Sequence, residues 1–348
     1  MQSFSNEIDQ KYPFVIYKEP NSSLVQILQQ KDDELYTDQN LETDGFYFYP
    51  YEPSQSPAVV FPEDKLKSKE VNYRKFSLNS IPIDLELEET EMLKKDHLKK
   101  VNKAIEALKT SPNLKKAIIS SRFPVKINSF SWENALLKLM HTYDESFVWV
   151  WYHPKIGMWM GASPELLASY QDGEFLTMAL AGTLPVQQAE PVIWSGKEIQ
   201  EQKLVTDFIV DNLKKHSADL KVSSPRTVYQ GKIAHIQTDI ITQVPINKIN
   251  KLILSLHPTP AVSGMPVTEA KNLIKTIENQ PRKYYTGFLG RKNKNLYKFY
   301  VNLRSMEVGD KSLTLFAGGG ILENSVAKKE WKEIQNKANI LYKTLITA

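Results

Sequence analysis

The positions of hydrophobic residues along the chain predict runs of β-strands with helices inserted between them. Apolar runs and alternations predict strands over residues 14–17, 24–28, 46–49, 117–119, 147–152, 166–170 and 174–180. Apolar residues at helical spacing predict helices over residues 88–109, 132–143, 196–215 and 326–345. Two polar segments predict loops over residues 54–57 and 63–71.

Three further strand-like runs lie near the C-terminus. Short polar segments separate them, which predicts an antiparallel meander over residues 287–290, 296–305 and 312–317. Strands that come in runs, with helices between the runs, favour an α+β fold with large antiparallel sheets over a regular βαβ alternation.

A single carboxylate, Glu165, follows an apolar run and a Gly-Ala-Ser-Pro bend at residues 161–164. The two strands after it are joined by a Gln-Asp-Gly turn, which predicts a hairpin. A glutamate at a strand end beside apolar surface is a candidate for a carboxyl that stays protonated near neutral pH. The alternative is a surface glutamate after a Ser-Pro turn, and this segment alone favours that alternative.

Two of the predicted helices carry carboxylates on or beside their apolar faces. The first pair falls inside the apolar stripe of helix 196–215, and the second pair flanks the stripe of helix 326–345 together with Lys337. The four carboxylates are Glu198, Glu201, Glu330 and Glu333. A buried carboxylate is costly unless it is paired or binds a cation, so the four indicate a hard divalent cation such as Mg²⁺. For the last helix, an ordinary surface ion-pair ladder is an equal alternative.

Composition excludes several other classes of site. The chain has no cysteine, which excludes disulfides and thiolate metal sites. A formal charge of +4 over 348 residues is small, and the basic residues are scattered, so nothing indicates a nucleic-acid surface. The first 11 residues are polar and no apolar run is long enough to span a bilayer. We therefore expect a cytoplasmic protein.

Three glycines at residues 318–320 follow a predicted strand and precede the last helix. They lack the Gly-Lys-Ser/Thr that completes a phosphate-binding loop, so they indicate close approach of the backbone to a ligand. The chain also lacks a Gly-x-Ser-x-Gly nucleophile motif.

Five segments taken together resemble the chorismate-utilising enzymes, and most closely the isochorismate synthases of menaquinone and siderophore pathways. The segments are 161–167 (Gly-Ala-Ser-Pro-Glu-Leu-Leu), 180–183 (Leu-Ala-Gly-Thr), 256–264 (Leu-His-Pro-Thr-Pro-Ala-Val-Ser-Gly), 316–321 (Phe-Ala-Gly-Gly-Gly-Ile) and 330–333 (Glu-Trp-Lys-Glu). The resemblance implies one domain in which two large antiparallel sheets pack together with helices outside. Residues 1–95 would be its variable N-terminal part and residues 96–348 the family core.

The resemblance also implies a Mg²⁺-dependent isomerisation of chorismate to isochorismate. Water adds to C2 of the ring, the C4 hydroxyl leaves, and the double bonds shift. Glu165 resembles the acid that protonates the leaving hydroxyl, and Lys116 resembles the base that activates the water. The family usually continues the lysine strand as Ser-Arg, whereas residues 120–122 here are Ser-Ser-Arg. A register shift of one residue would make Lys115 the base.

The remaining site residues are also implied by the resemblance. Glu201 and Glu333 resemble the Mg²⁺ ligands, with Glu198 and Glu330 as supporting carboxylates. Arg304 and Lys337 resemble the residues that hold the enolpyruvyl carboxylate. Further substrate-binding positions are Thr183, His235, Tyr285 and Gly318.

Enzymes with related activities are expected to differ from this sequence at particular residues. Salicylate synthases form isochorismate and then expel pyruvate, and they more often carry threonine in the region of Ala261. Anthranilate and aminodeoxychorismate synthases use ammonia and typically lack the lysine base. A non-catalytic relative would lack the acid, the base or the carboxylates. We therefore expect an isochorismate synthase with chorismate as its small-molecule partner, no nucleic-acid or membrane partner, and a monomer or weak dimer.

Overall fold

The computed structural model describes residues 3–88, 90–185, 192–217, 219–230 and 233–346, which form 19 β-strands and six α-helices. The strands are β1 (Phe14–Lys18), β2 (Leu24–Gln30), β3 (Gly45–Tyr49), β4 (Val59–Pro62), β5 (Leu66–Asn72), β6 (Asp84–Leu87), β7 (Lys116–Ser129), β8 (Phe147–His153), β9 (Gly157–Ser163), β10 (Leu166–Gln171), β11 (Glu174–Pro185), β12 (Leu220–Val222), β13 (Arg226–Gln230), β14 (Ile233–Gln243), β15 (Gly264–Met265), β16 (Phe288–Asn293), β17 (Leu296–Val301), β18 (Ser305–Val308) and β19 (Ser312–Ile321). The helices are α1 (Glu91–Thr110), α2 (Trp132–Thr142), α3 (Gly196–Lys214), α4 (Ile246–Leu256), α5 (Val267–Ile277) and α6 (Ala327–Ile346).

The strands form two large antiparallel sheets. The first sheet has the order β15-β7-β19-β18-β9-β8-β1-β2-β5, with β6 pairing beside β7. The second has the order β12-β14-β11-β10-β17-β16-β3-β4, with β13 pairing beside β14. The predicted α+β fold with large antiparallel sheets is therefore confirmed. The N-terminal strands β1 to β5 complete both sheets.

Apolar side chains fill the space between the sheets and beneath the helices. An aromatic layer that includes Phe48, Trp149 and Trp159 lies between the two sheets. A second apolar layer joins the first sheet to α2 and α6, and a third joins the second sheet to α3 and α4. Strand β8 contributes to two of these layers because almost all of its residues are buried, as its continuous apolar sequence predicts.

Most of the predicted elements match the structure, and two predictions are wrong. The sequence predicts a loop over residues 63–71, but the larger part of this segment is strand β5, which pairs with β2. β5 is an edge strand with mostly exposed and charged side chains, so it shows no apolar pattern.

Glu89, inside the first predicted helix, lies outside the described residues.

The second wrong prediction is the C-terminal meander. The single strand predicted over residues 296–305 is two strands, because β17 belongs to the second sheet and β18 to the first. The chain crosses between the sheets at residues 302–304, where Arg304 has a φ of +46°. A left-handed residue turns the chain out of one sheet, which periodicity alone does not reveal.

No helix within the described ranges is long and apolar enough to cross a membrane.

Candidate active site

The site lies where two chain segments cross side by side between the sheets. One crossing joins β9 to β10 and contains Glu165, and the other joins β17 to β18 and contains Arg304. The backbone N–H of Val301 donates to the Glu165 carbonyl (2.9 Å), and the N–H of Ala162 donates to the Arg304 carbonyl (3.1 Å). The Ser163 hydroxyl also donates to the carbonyl of Val301. These contacts place an acid and a guanidinium beside the same pocket.

The pocket brings together almost all the residues predicted from the sequence. Its lining includes Lys116, Glu165, Thr183, Glu198, Glu201, His235, Tyr285, Arg304, Gly318, Glu333 and Lys337. Glu330 is absent from this lining, although its carboxylate lies close behind it near Gly319. Ala261 contributes to the same wall as Val262.

Glu165 is buried, with only 2% of its surface exposed. Burial raises the pKa of its carboxyl from the ordinary 4.5 to about 8, although the nearby ammonium group of Lys116 acts in the opposite direction. The apolar surroundings disfavour the ionised form because they replace water around the carboxylate. The side chain is therefore protonated at neutral pH and able to donate a proton. The interpretation of Glu165 as a surface residue is wrong.

Lys116 begins strand β7 and is 2% exposed. Burial lowers the pKa of its ammonium group, while Glu201 acts in the opposite direction at a distance of 3.9 Å between Nζ and Oε2. Its neighbour Lys115 is exposed and does not line the pocket. The structure thus points Lys116 into the pocket and leaves Lys115 outside. A buried lysine gives up its proton more readily than an exposed one, as a base must.

Arg304 is held by a neutral histidine. Arg304 Nη2 donates to His235 Nε2 (2.9 Å), and His235 Nδ1 donates to the Gly182 carbonyl (3.0 Å). A guanidinium can only donate, so Nε2 is the bare nitrogen and Nδ1 carries the proton. Burial, reinforced by Arg304, lowers the pKa of His235 to about 3 and keeps the ring neutral.

The other end of the guanidinium is available to a ligand. Arg304 Nη1 is buried and has no hydrogen-bond partner among the residues that the structure describes. A buried donor left without a partner is costly, and a planar guanidinium binds a carboxylate with two parallel hydrogen bonds. This arrangement suits an anionic group entering the pocket.

Helices α3 and α6 present carboxylates to the glycines of β19. A Cβ at Gly320 would lie 2.9 Å from Lys116 Cε and 3.0 Å from Glu201 Oε1, so a larger residue there would displace the ends of these side chains. A Cβ at Gly319 would lie 3.8 Å from Glu333 Oε1 and 3.9 Å from Glu330 Oε2. Gly320 therefore leaves room for the side chains of Lys116 and Glu201.

Lysines form ion pairs with two of these carboxylates. Lys197 Nζ lies 3.3 Å from Glu330 Oε1, and Lys337 Nζ lies 2.8 Å from Glu333 Oε1. Burial acts to raise the pKa of Glu333, but Lys337, Lys197 and Lys116 together outweigh it and the pKa is lowered. Burial raises the pKa of Glu330. Glu330 Oε2 is buried and finds no hydrogen-bond partner in the described part of the chain.

The oxygen atoms of these carboxylates are suitable ligands for a hard divalent cation, but the side chains are not arranged as a complete coordination site. Among the described residues, no three carboxylate or imidazole groups converge as a formed metal site does. Glu198 also has a second role, because its Oε2 accepts from the N–H of Ser195 (3.0 Å) and closes the capping box of α3. The unpartnered oxygen of Glu330 and the all-oxygen donor set still suit Mg²⁺.

Two residues at the site were not predicted from the sequence. Gln202 is 3% exposed and joins α3 to β11 through its side chain, which accepts from the Ala181 N–H (2.9 Å) and donates to the Ala179 carbonyl (3.0 Å). Its position in the apolar stripe of α3, next to Glu201, was the available signal. For Lys197 the sequence gives no signal beyond its position next to Glu198.

Comparison with known proteins identifies the family. The family described as chorismate binding enzyme matches residues 58–346, which is most of the chain. The chain belongs to the chorismate-binding enzyme family. The match confirms the resemblance drawn from the five sequence segments.

Characterised members of the chorismate-binding family are similar to different extents. Isochorismate synthase MenF of Pasteurella multocida is 33% identical over 192 residues, 51% of this chain and 44% of that enzyme. The chain thus aligns with less than half the length of that relative. Isochorismate synthase EntC of Escherichia coli is 26% identical over 307 residues, 82% of this chain and 76% of that enzyme.

A solved structure of the family shares the fold. The menaquinone-specific isochorismate synthase MenF of Escherichia coli superposes with a TM-score of 0.83 at 19% identity, covering 97% of this chain and 90% of that chain. The two packed antiparallel sheets are therefore the fold of this chorismate-binding enzyme.

Proposed function

We propose that this chorismate-binding enzyme is an isochorismate synthase, which converts chorismate into isochorismate. The observation that carries the proposal is the pair of Lys116 and Glu165 in one buried pocket, with pKa shifts in opposite directions. Addition of water at one ring carbon and loss of a hydroxyl at another requires one base and one acid at the same time. The named isochorismate synthases among its relatives support the proposal.

The two groups divide the proton transfers between them. Lys116, as the neutral amine, takes a proton from the water that adds to C2. Glu165, as the neutral acid, gives a proton to the C4 hydroxyl, which leaves as water while the double bonds shift. One water enters and one leaves, so the net reaction is an isomerisation, and both groups are in the protonation state that burial favours.

The cationic residues account for binding of the substrate. Arg304 would hold the enolpyruvyl carboxylate through its unpartnered Nη1 and the adjacent N–H groups. Lys337 lies beside the Gly318 carbonyl (3.1 Å) and adds a second positive charge to that end of the pocket. Thr183 and Tyr285 line the remaining wall. A dianionic substrate such as chorismate suits this arrangement.

Mg²⁺ belongs to the proposal as a cofactor. Glu201 and Glu333 would hold it, with Glu330 and Glu198 supporting them from the two helices. When bound, the ion neutralises the ring carboxylate of the substrate and the charge of the surrounding glutamates. The unpartnered oxygen of Glu330 supports a cation in this position.

Removal of the metal should stop the reaction. We expect a chelator to abolish turnover of chorismate and added Mg²⁺ to restore it. Glu201→Gln removes one negative charge from the ligand set, so the Mg²⁺ concentration for half-maximal turnover should rise on the order of tenfold. Asp211→Asn, an exposed position on the same helix, is the matched control and should leave the Mg²⁺ dependence unchanged. Full activity of Glu201→Gln in metal-free buffer would contradict the assignment.

The identity of the product separates an isochorismate synthase from a salicylate synthase. Ala261 lines the pocket with a methyl group, which offers no hydrogen-bond donor to reorient bound substrate or water. We expect purified protein with chorismate and Mg²⁺ to form isochorismate in reversible exchange, without pyruvate. A coupled lactate dehydrogenase assay measures the pyruvate directly. Steady pyruvate release with matching salicylate fluorescence would assign the protein to the salicylate synthases instead.

A further inference from the structure

A buried ion pair lies directly behind the pocket wall and belongs to none of the roles described above. Glu278 directly follows helix α5 as its C-cap, and Arg282 follows Glu278 by four residues. Arg282 Nε donates to Glu278 Oε2 (2.8 Å) and Nη2 donates to Oε1 (2.6 Å), a two-pronged pair. Their side chains are only 2% and 7% exposed. The Arg282 guanidinium also lies 4.7 Å from the ring centre of Tyr51.

The pair occupies an open stretch along the edge of β7. On that edge β15 pairs with Lys116 and Ala117, and β6 pairs with residues 125–129. Between them, Arg282 Nη2 donates to the Ile118 carbonyl (2.7 Å), and Glu278 Oε1 accepts from the N–H (2.8 Å) and hydroxyl (3.0 Å) of Ser120. The two side chains thus supply the hydrogen bonds that a neighbouring strand would supply.

Arg282 also reaches two other walls of the pocket. Nη1 donates to the Val262 carbonyl (2.8 Å) and lies 3.4 Å from the hydroxyl oxygen of Thr286. Val262 and Thr286 both line the pocket, next to Ala261 and Tyr285. On β7 the contact to Ile118 is two residues from Lys116. A single guanidinium therefore connects three walls of the pocket.

We propose that Arg282, oriented by Glu278, is a positioning residue that holds Lys116 in register with the substrate-facing walls at residues 261–262 and 285–286. The inference rests on the proposed function, because Lys116 acts as a base only in the proposed reaction. Displacement of a reacting group by about 1 Å can lower a rate by about 10²-fold, so a contact two residues away has a measurable effect. Arginine is required because a lysine ammonium cannot reproduce its planar set of donors.

The alternative is that the pair only stabilises the fold. Buried ion pairs are weak determinants of stability, since their attraction is offset by loss of hydration. A stabilising role would lower the melting temperature without changing kcat at a temperature where the variant is folded. A positioning role lowers kcat in the folded variant.

The test uses Arg282→Lys in the full-length protein. We expect kcat for isochorismate formation to fall on the order of 10²-fold, with a smaller change in KM. In Arg282→Ala, added guanidinium should restore part of the lost kcat, and ethylammonium should not. Arg291→Lys is the matched control, because Arg291 is also ion-paired, to Glu63, but lies on β16 in the second sheet, whereas β7 belongs to the first. Its kcat should match that of the wild type.

A second measurement does not depend on the reaction. Backbone hydrogen exchange over residues 116–120 should be faster in Arg282→Lys than in the wild type, and unchanged in Arg291→Lys. Ser120→Ala removes one donor to Glu278 and should lower kcat severalfold, which covers the case in which Arg282→Lys does not fold. Unchanged exchange, or wild-type kcat in both the Arg282 and Ser120 variants, would overturn the inference. A wild-type protein that makes no isochorismate would overturn the proposed function, while the exchange measurement would still decide the positioning of β7.

Discussion

Replacement of Lys116 with methionine is expected to lower kcat for isochorismate formation by about 10²–10⁴-fold, the range for loss of a general base. Methionine fills a similar volume and has no proton to exchange, so it removes the chemistry and keeps the packing. The pocket retains Arg304 and Lys337, and KM should change much less than kcat. Measurement of initial rates at saturating Mg²⁺ checks both parameters.

The control for this prediction is the adjacent lysine. Lys115 is exposed, and Lys115→Met should be close to wild type. Melting curves of the two variants check for a folding defect, and we expect none, because methionine replaces a buried polar group with an apolar one of similar size. If Lys115→Met were inactive and Lys116→Met active, the assignment of the base would be wrong by one residue.

The choice between these two lysines shows how much of the site a strand pattern can predict. Alternation along β7 says that Lys115 and Lys116 point to opposite faces. It does not say which face meets the pocket, because that depends on β15 and β19, which are distant in the sequence. The pairing of Met265 with Lys116 and of Ile321 with Ala117 fixes the position of Lys116 in the wall of the pocket.

The carboxylates of the helices were easier to predict. Helical periodicity alone places Glu201 inside the apolar stripe of α3, and the structure shows its side chain only 14% exposed. For α6, periodicity predicted the apolar face correctly but placed Glu330 on its flank, whereas Glu330 is buried. Its burial comes from Ser325 and Lys197, which approach from a preceding loop and from α3.

The crossings between the sheets could not be predicted from periodicity. Two consecutive strands that belong to different sheets look like one continuous strand in the sequence when only a few residues separate them, as at residues 302–304. The left-handed conformation of Arg304 is set by contacts to Ala162 and His235 from elsewhere in the chain. Arg282 and Glu278 were not predicted from the sequence for the same reason, because their burial depends on the open edge of β7, which is distant in the sequence.

Glu165→Gln is the second substitution with a large expected effect on activity. Glutamine keeps the shape of the protonated acid but cannot give up a proton, so kcat should fall by about 10²–10⁴-fold. Because burial raises the pKa of Glu165 to about 8, kcat of the wild type should decline as the pH rises through about 8. Glu174→Gln, an exposed position on β11, is the matched control and should keep both kcat and its pH profile.

The same pKa gives Glu165→Gln a second effect, which tests whether the carboxyl is protonated in the folded protein. In the unfolded chain the carboxyl ionises above its ordinary pKa of 4.5, whereas in the fold it stays protonated up to about 8. The fold therefore loses stability as the pH rises from 4.5 toward 8, on the order of 3 kcal/mol by pH 7. Glutamine has no such ionisation, so the stability of the variant should change less over this interval. Denaturant unfolding at pH 5 and pH 8 measures the difference. An inactive variant with the same pH dependence of stability as the wild type would show that Glu165 is ionised in the fold, and the role of proton donor would then be wrong.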